Sequence, residues 1–289
     1  MIESHIVLVT NLFRDAGFEK ARQIYHLLTG AGHDVIASPV FLPEWDPSML
    51  PGMNSMELKD AVIGASLVVV MGGDGTMLYV ADVVRGMEIP IIGINLGGKG
   101  FLAGLEESET ELLLEVADGK HTLSRRMMLD VQLIRDGACI FSQCVLNDVV
   151  IHGVQAECIG ILAKCDGSPV THFTGDGIIV ATPTGSTAYS MSAGGPLVEP
   201  DNENIILTPI CPHSMAGKSF VLLPNRVVTI EPERIHDRPA VLLADGGEGV
   251  PLVKGDCIRI CKSQNSVLLA ETGARSFYEN AFEKLTGLF

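Results

Sequence analysis

The chain has 289 residues, of which 47% are hydrophobic, and its 20 basic against 35 acidic residues give a net charge of −15. This length predicts one large domain or two ordinary ones, and the acidic balance excludes an extended basic surface for nucleic acid. No apolar run is long enough to span a membrane. The seven cysteines lack a disulfide-like spacing, and the N-terminus lacks the pattern of a signal peptide, so we expect a cytoplasmic protein.

The first 120 residues alternate between short apolar runs and segments with helical spacing. β-branched runs bounded by turns indicate buried strands, and apolar residues three or four apart indicate helices between them. This alternation predicts a parallel sheet covered by helices, with ligands at the carboxyl ends of its strands. The predicted strands are 6–9, 34–37, 68–71 and 90–94, and the predicted helices are 16–28, 56–63, 77–84 and 108–117.

After residue 120 the pattern changes to short runs separated by turns, several of which alternate apolar and polar residues. This pattern predicts a β-rich, sandwich-like domain. We therefore expect an α/β domain over 1–120 and a β-rich domain over 121–265. A final helix over 277–288, with an apolar face, is expected to pack back on the first domain. The residues of that face are Phe277, Ala281, Phe282 and Leu285.

The segment 68–78 joins a predicted strand to a predicted helix through Gly72-Gly73-Asp74-Gly75-Thr76. Glycines let the backbone approach a ligand closely, and N–H groups at such a turn form an anion site. A carboxylate beside a phosphate binds Mg²⁺ or takes a proton from an attacking hydroxyl. Thr76 is predicted to cap the helix. The residues alone leave two interpretations open: a phosphoryl-transfer site, or a tight turn with a solvated aspartate.

A second segment, 182–196, is rich in small hydroxyl residues and glycine and follows Asp176 and a predicted strand. Its N–H and O–H groups can bind a phosphate or a sugar. Tyr189 and Ser192 are three apart, on one face of a short predicted helix, where the tyrosine could stack on a flat ring. A Ser/Thr-rich cap with Tyr189 in the core explains the same residues equally well.

Three further positions carry alternatives. Asn147-Asp148 suits an adenine edge and ribose hydroxyls, or is a turn between strands. Phe101 follows a glycine cluster and could stack on a base, or lie in the core. Asp245-Gly246-Gly247 is most simply a hairpin turn. The cysteine and histidine of 211–213 have no second ligand pair at zinc spacing, so no metal ligand is assigned.

Taken together, these motifs resemble the NAD kinase family, whose members phosphorylate NAD to NADP. Glycine loops like 72–76 also occur in lipid kinases and phosphofructokinases, whereas the 182–189 stretch is highly specific. The resemblance covers nearly the whole chain and implies an α/β nucleotide-binding domain followed by a β-rich domain. It rests on 72–76, 95–102, 147–148, 176–177, 182–196, 211–214 and 245–246.

The resemblance also implies roles for individual residues. Asp74 would be the base that deprotonates the adenosine 2′-hydroxyl of NAD. Asn147 and Asp148 would bind the adenosine half, and Phe101 would lie against the adenine. The phosphates of the donor, ATP or polyphosphate, would be held with Mg²⁺ or another divalent metal by Gly72, Gly73, Gly75 and Thr76. The rest of the NAD and ATP site would be lined by Asp176, Thr187, Ala188, Tyr189, Ser190, Met191 and Ser192.

The resemblance further implies a homodimer or homotetramer assembled through the β-rich domain. The chain departs from the family pattern at Lys99, Cys158 and Gly247, which affects the outer ligand contacts and the choice between NAD and NADH. Two rival functions are a kinase for lipids or sugars and a non-catalytic NAD(P)-binding regulator. The net charge of −15 disfavours a membrane-facing lipid kinase, and the carboxylate of Asp74 disfavours a binding module.

Overall fold

The computed structural model describes residues 4–15, 18–41, 50–96, 100–155, 157–213, 217–233, 239–273 and 275–286. The chain forms two compact units, one of Met1–Arg125 with Val267–Phe289 and one of Arg126–Ser266. None of the helices in these described ranges is both long and apolar enough to cross a membrane.

The helices are α1 (Glu19–Gly30), α2 (Leu58–Ala61), α3 (Asp74–Val84), α4 (Leu112–Ala117), α5 (Tyr189–Ser192) and α6 (Phe277–Thr286). The strands of the first half are β1 (His5–Asn11), β2 (Val35–Val40), β3 (Ala65–Gly72), β4 (Pro90–Asn95), β5 (Leu105–Glu106), β6 (Thr122–Arg135), β7 (Ala138–Val145) and β8 (Asp148–Gly153). Those that follow are β9 (Ile159–Cys165), β10 (Ser168–Gly175), β11 (Gly177–Ala181), β12 (Ile205–Ile210), β13 (Phe220–Leu222), β14 (Val227–Glu233), β15 (Ala240–Ala244), β16 (Val250–Leu252) and β17 (Cys257–Glu271).

The first unit contains a parallel sheet in the order β2-β1-β3-β4. Leu268 and Leu269 of β17 extend it beside β4, also in parallel. Every residue of β1 and β2 is buried, as expected for strands covered on both faces. The predicted parallel α/β fold is thereby confirmed, and β3 ends at Gly72, at the carboxyl edge where the glycine loop begins.

Helix α3 begins three residues earlier than the sequence pattern predicts. Gly73 is its N-cap, without a side-chain hydrogen bond, and Asp74 is its first residue. The predicted capping role of Thr76 is therefore wrong. Thr76 is buried inside the first turn, where its Oγ1 accepts a hydrogen bond of 2.8 Å from Asn11 Nδ2. A partner distant in sequence satisfies this hydroxyl, so a local capping pattern could not reveal it.

Helix α6 belongs to the first unit, but its predicted apolar face is wrong at Phe282 and Leu285. Phe282 is 61% and Leu285 51% exposed, whereas Ala281 and Lys284 are buried. A pattern that counts only apolar residues assigns a lysine to the solvent side. Here Lys284 is buried because polar and aromatic partners surround its ammonium group.

The second unit is built from antiparallel sheets. One has the order β13-β12-β11-β8-β15-β16, and β10, β9, β14 and the first part of β17 pair in another. Their inward side chains share one core, which combines Val149 and Ile151 of β8 with Ile161 of β9 and Ile258 and Ile260 of β17. Two sheets enclosing one apolar layer match the predicted sandwich-like domain.

Candidate functional site

In the first unit, Asp74 lies at the N-terminus of α3, directly after β3. Its carboxylate accepts hydrogen bonds from two consecutive backbone N–H groups, Phe101 N to Oδ2 at 3.0 Å and Leu102 N to Oδ1 at 3.1 Å. Each oxygen has a single donor among the described residues, which leaves a further lone pair on both for a proton or a cation. The two hydrogen bonds fix the orientation of the carboxylate and leave acceptor positions open, an arrangement that suits proton acceptance.

The glycines around this carboxylate serve two different purposes. A Cβ at Gly72 would lie 2.5 Å from Thr76 Oγ1, and one at Gly100 would lie 2.7 Å from Asp74 Oδ1. These two positions therefore need glycine for packing. A Cβ at Gly73 or Gly75 would meet no atom of the described residues within 4 Å. Here the backbone faces open space, which suits close approach of a phosphate to the helix N-terminus.

Lys284 is a charged residue beside this site that sequence reasoning missed. Its Nζ donates a hydrogen bond to Gly100 O and lies 5.1 Å from the centroid of the Phe101 ring. The residue is only 8% exposed. Burial lowers the pKa of Lys284, and the carboxylates of Glu106 and Asp74 oppose that effect. The sequence feature that could have identified Lys284 is its position, a lysine at helical spacing within an apolar segment.

In the second unit, Asp245 organises the Asn147-Asp148 pair. Its carboxylate accepts three consecutive backbone N–H groups, from Leu146 at 2.7 Å, Asn147 at 2.8 Å and Asp148 at 3.0 Å. Asp245 itself has a positive φ of 47°, a conformation that aspartate tolerates. The sequence predicts a turn at 245–247, and a turn is present. What the sequence missed is that this turn carries the anchor of the predicted adenosine-binding pair.

Asp148, the first residue of β8, is a buried carboxyl group with a strongly perturbed pKa. Burial first, and the charge of Asp245 second, raise the pKa of Asp148 to about 7, and a hydrogen bond from the Tyr189 backbone opposes both effects. The side chain is 5% exposed. A carboxyl that changes its charge near neutral pH is typical of a functional position.

The segment from Thr182 to Ser192 packs against the same pair. Thr182 N donates to Asn147 O at 2.9 Å, and a Cβ at Gly185 would lie only 2.1 Å from that oxygen. Tyr189 is 46% exposed, so its ring is available to a ligand. Ser190 is fully buried, and its hydroxyl forms a 2.9 Å hydrogen bond with Thr208. Thr187, Ala188 and Met191 are half-buried, and Ser192 is exposed.

Asp176 lies apart from this group. Asp148 is opposite Ala181 in the register of β8 with β11, whereas His152 is opposite Gly177. At about 3.3 Å per residue, Asp176 is therefore roughly 16 Å from Asp148 along the strands. Its neighbours are Cys158, whose Sγ lies 3.5 Å from Asp176 Oδ1, and His213, whose Nε2 lies 3.6 Å from the same sulfur.

Two of the predicted departures lie within the described residues. Cys158 contacts Asp176 as above, and Gly247 closes a turn by donating its N–H to Ala244 O at 2.9 Å. Lys99 lies outside the described residues. Among the residues that are described, no three His, Cys, Asp or Glu side chains are placed to hold a metal ion together.

Comparison with protein families identifies both halves of the chain. Residues 56–117 match the ATP-NAD kinase N-terminal domain, and residues 146–272 match the ATP-NAD kinase C-terminal domain. The two matches include Asp74, Asp148, Asp176, Tyr189 and Asp245. These five residues thus fall inside the matched domains, whereas Lys284 lies beyond both matches.

Individual relatives and solved structures agree. The chain is 37% identical to an NAD kinase of Natranaerobius thermophilus, over 97% of each chain. It is 39% identical to an NAD kinase of Syntrophotalea carbinolica, over 83% of this chain and 81% of the relative. An Archaeoglobus fulgidus NAD kinase in complex with ATP is 25% identical, with a TM-score of 0.72 over 98% of this chain and all of the other. Yeast NADH kinase complexed with NADH, at 24% identity, shares the fold with a TM-score of 0.81 over 99% and 87% of the two chains. The chain therefore belongs to the NAD kinase family.

Proposed function

We propose that this chain transfers the terminal phosphoryl group of ATP to the adenosine 2′-hydroxyl of NAD, giving NADP and ADP. The observation that carries the proposal is the carboxylate of Asp74, which two N–H groups hold at the N-terminus of α3. A relative in the same family is an NAD kinase in complex with ATP, and another solved structure is an NADH kinase complexed with NADH. ATP and the reduced dinucleotide NADH are thus the ligands bound in these two neighbours.

Asp74 acts as the general base in this proposal. As the 2′-oxygen attacks the terminal phosphorus, its proton moves to a free lone pair of the Asp74 carboxylate. The bond between that phosphorus and the bridging oxygen breaks, and ADP leaves with the bonding electrons. The uncovered backbone at Gly73 and Gly75, together with Gly72 and Thr76, binds the donor phosphates. Catalysis then consists of positioning and charge stabilisation.

The second unit is proposed to bind the dinucleotide. Asn147 and the carboxyl of Asp148 recognise the adenosine half, and the exposed ring of Tyr189 contacts a flat part of the ligand. Phe101 is proposed as the residue that lies against the adenine. Since Asp176 is far from Asp148 along the strands, it contacts a different part of an extended molecule. Five further residues are proposed to complete the dinucleotide-binding site, and Ser190 among them acts through packing. These residues are Thr187, Ala188, Ser190, Met191 and Ser192.

A divalent metal is proposed to arrive with the donor. Mg²⁺ is commonly held by one or two carboxylates together with substrate phosphates, and Asp74 is the carboxylate beside the phosphate-binding backbone. When bound, the ion neutralises charge on the phosphates. With 20 basic against 35 acidic residues the chain has little positive charge to offer the phosphates, so EDTA is expected to abolish turnover and excess Mg²⁺ to restore it. Full activity in excess chelator would contradict the proposal.

The function is tested by incubating the chain with NAD, ATP and Mg²⁺ and detecting NADP with a strictly NADP-dependent dehydrogenase. Parallel reactions replace ATP with polyphosphate and NAD with NADH. Asp74→Asn serves as the control with strongly reduced turnover. Steady NADP formation that requires ATP supports the proposal. Dinucleotide binding by calorimetry without any turnover would instead identify a non-catalytic binding protein.

The assembly and location are proposed on separate grounds. A homodimer or homotetramer formed through the β-rich unit would cover the edges of its many short strands, and light scattering of the active protein tests this. A fully active monomer at assay concentration would contradict it.

A cytoplasmic location agrees with the cysteines, all seven of which are free thiols.

A further inference from the structure

The turn formed by Gly100, Phe101 and Leu102 is held from two sides. On one side the N–H groups of Phe101 and Leu102 donate to the two oxygens of Asp74. On the other, Lys284 of α6 donates to Gly100 O and places its ammonium over the Phe101 ring. Three consecutive residues thus connect the carboxylate of Asp74 to a lysine that lies 184 residues after Gly100.

The environment of Lys284 explains why it stays in place. Burying an ammonium group is costly unless it is paired, and here a carbonyl, an aromatic face and the carboxylates of Glu106 and Asp74 compensate. Glu106 is itself held, since Asn95 Nδ2 donates to its Oε2 at 3.0 Å. A long side chain that is 8% exposed and contacts a fixed turn has one arrangement available rather than many.

The turn has little freedom to adjust. A Cβ at Gly100 would lie 2.7 Å from Asp74 Oδ1, so the backbone of the turn rests directly on the carboxylate. Movement of the Gly100 carbonyl must therefore move the two N–H groups that orient Asp74. Hydrogen bonds to a charged donor are shorter and stronger than neutral ones, which makes Lys284 an effective anchor for that carbonyl.

We propose that Lys284 is a positioning residue for phosphoryl transfer, which anchors the 100–102 turn and thereby aims the carboxylate of Asp74. The role rests on the proposed function of Asp74. Lys284 acts through the turn and does not itself bind the donor phosphates. Its loss should therefore lower kcat and leave the affinity for NAD nearly unchanged.

The test is a double-mutant cycle between Lys284→Met and Asp74→Asn, measured as kcat for NADP formation. Methionine keeps the length and apolar stem of lysine but has neither charge nor donor. We expect Lys284→Met to lower kcat by about 10-fold to 100-fold, the size of a small misplacement of a reacting group. In the Asp74→Asn background the same change should cost less than about threefold, because the carboxylate it positions is gone. Lys284→Arg should recover part of the rate.

Lys59→Met is the matched control, since it makes the same change at an exposed lysine of the same unit. An equal loss of kcat in both Asp74 backgrounds would overturn the proposal and indicate an independent contact with phosphate. So would an unchanged kcat in Lys284→Met. If the methionine variant does not fold, Lys284→Gln, which keeps a donor without the charge, takes its place in the same cycle.

Amide hydrogen exchange separates this proposal from the proposed function. If Lys284 anchors the turn, exchange at Phe101 and Leu102 should be faster in Lys284→Met than in the wild type and in Lys59→Met. This readout needs no turnover, so it stands even if the wild type makes no NADP. Unchanged exchange at both amides would show that Lys284 does not hold the turn.

Discussion

Replacing Asp148 with asparagine should make the ligand-free protein more stable at neutral and alkaline pH. The folded protein raises the pKa of Asp148 to about 7, first through burial and second through the charge of Asp245. An aspartate in an unfolded chain titrates near its ordinary value of about 3.9. Between these two values the folded state binds a proton that the unfolded state releases, so stability falls as pH rises from about 4 to about 7.

The size of the expected gain in stability follows from the shift in the pKa of Asp148. A displacement of about three pKa units, at about 1.36 kcal/mol per unit, corresponds to on the order of 4 kcal/mol. The amide side chain introduced by Asp148→Asn is neutral at every pH and can still accept the hydrogen bond from the Tyr189 backbone. The variant and the wild type should therefore be equally stable below about pH 4. The variant should gain about 2 kcal/mol near pH 5.3 and about 4 kcal/mol above pH 7.

Urea unfolding of both proteins without ligand, followed by circular dichroism between pH 5 and 8, measures this difference. Asp136→Asn is the control, because it makes the same change at an exposed position of the same unit. The gain in stability should come with weaker NAD binding, as often occurs at functional sites. A difference that is flat across pH, or a variant less stable at pH 8, would refute the reasoning.

Three further predictions concern Asp74, the glycine that packs against it, and Asp245. Asp74→Asn should lower kcat by about 10²–10⁴-fold, the usual contribution of a positioned base. Calorimetry should show that the affinity for NAD changes by less than about tenfold. A near wild-type kcat would show that the glycine loop is only a turn without a catalytic role. Gly100→Ala should displace the Asp74 carboxylate, since the new Cβ would lie 2.7 Å from Oδ1, and lower kcat by about 100-fold with little change in melting temperature; an unchanged kcat would contradict the contact. Asp245→Asn should destabilise the protein by about 1–3 kcal/mol, because an amide cannot accept hydrogen bonds at both of its ends. The same change should lower the pKa of Asp148, because it removes a like charge. Chemical denaturation measures the first effect, and the pH dependence of stability measures the second.

The sequence predicted the parallel sheet of the first unit well, because buried parallel strands are continuous apolar runs such as 68–71. It also identified the glycine loop, since three glycines around an aspartate are locally visible. It misplaced the start of α3 because Thr76 is satisfied by Asn11 of β1 rather than by its own helix. A partner from another strand leaves no local pattern.

The residues that the sequence could not reveal are those that act at long range. Lys284 is buried against Gly100 and Phe101, and Asp245 accepts N–H groups from residues nearly a hundred positions earlier. Both contacts depend on which backbone groups the fold brings close to the side chain. Neither residue spacing nor composition contains that information. Asp148 was singled out by residue type, but its raised pKa follows from burial that only the structure defines.

The three N–H groups that donate to Asp245 have a consequence for the order in which the chain folds. The strand pair that brings the partners together, β8 with β15, joins residues far apart in sequence. Pairing of this kind is slow, because loop closure precedes any gain from the contacts. During synthesis the 146–148 segment thus emerges long before the carboxylate that orients it. Affinity for the adenosine half should consequently appear as a late event in refolding, after the apolar core of this unit has formed.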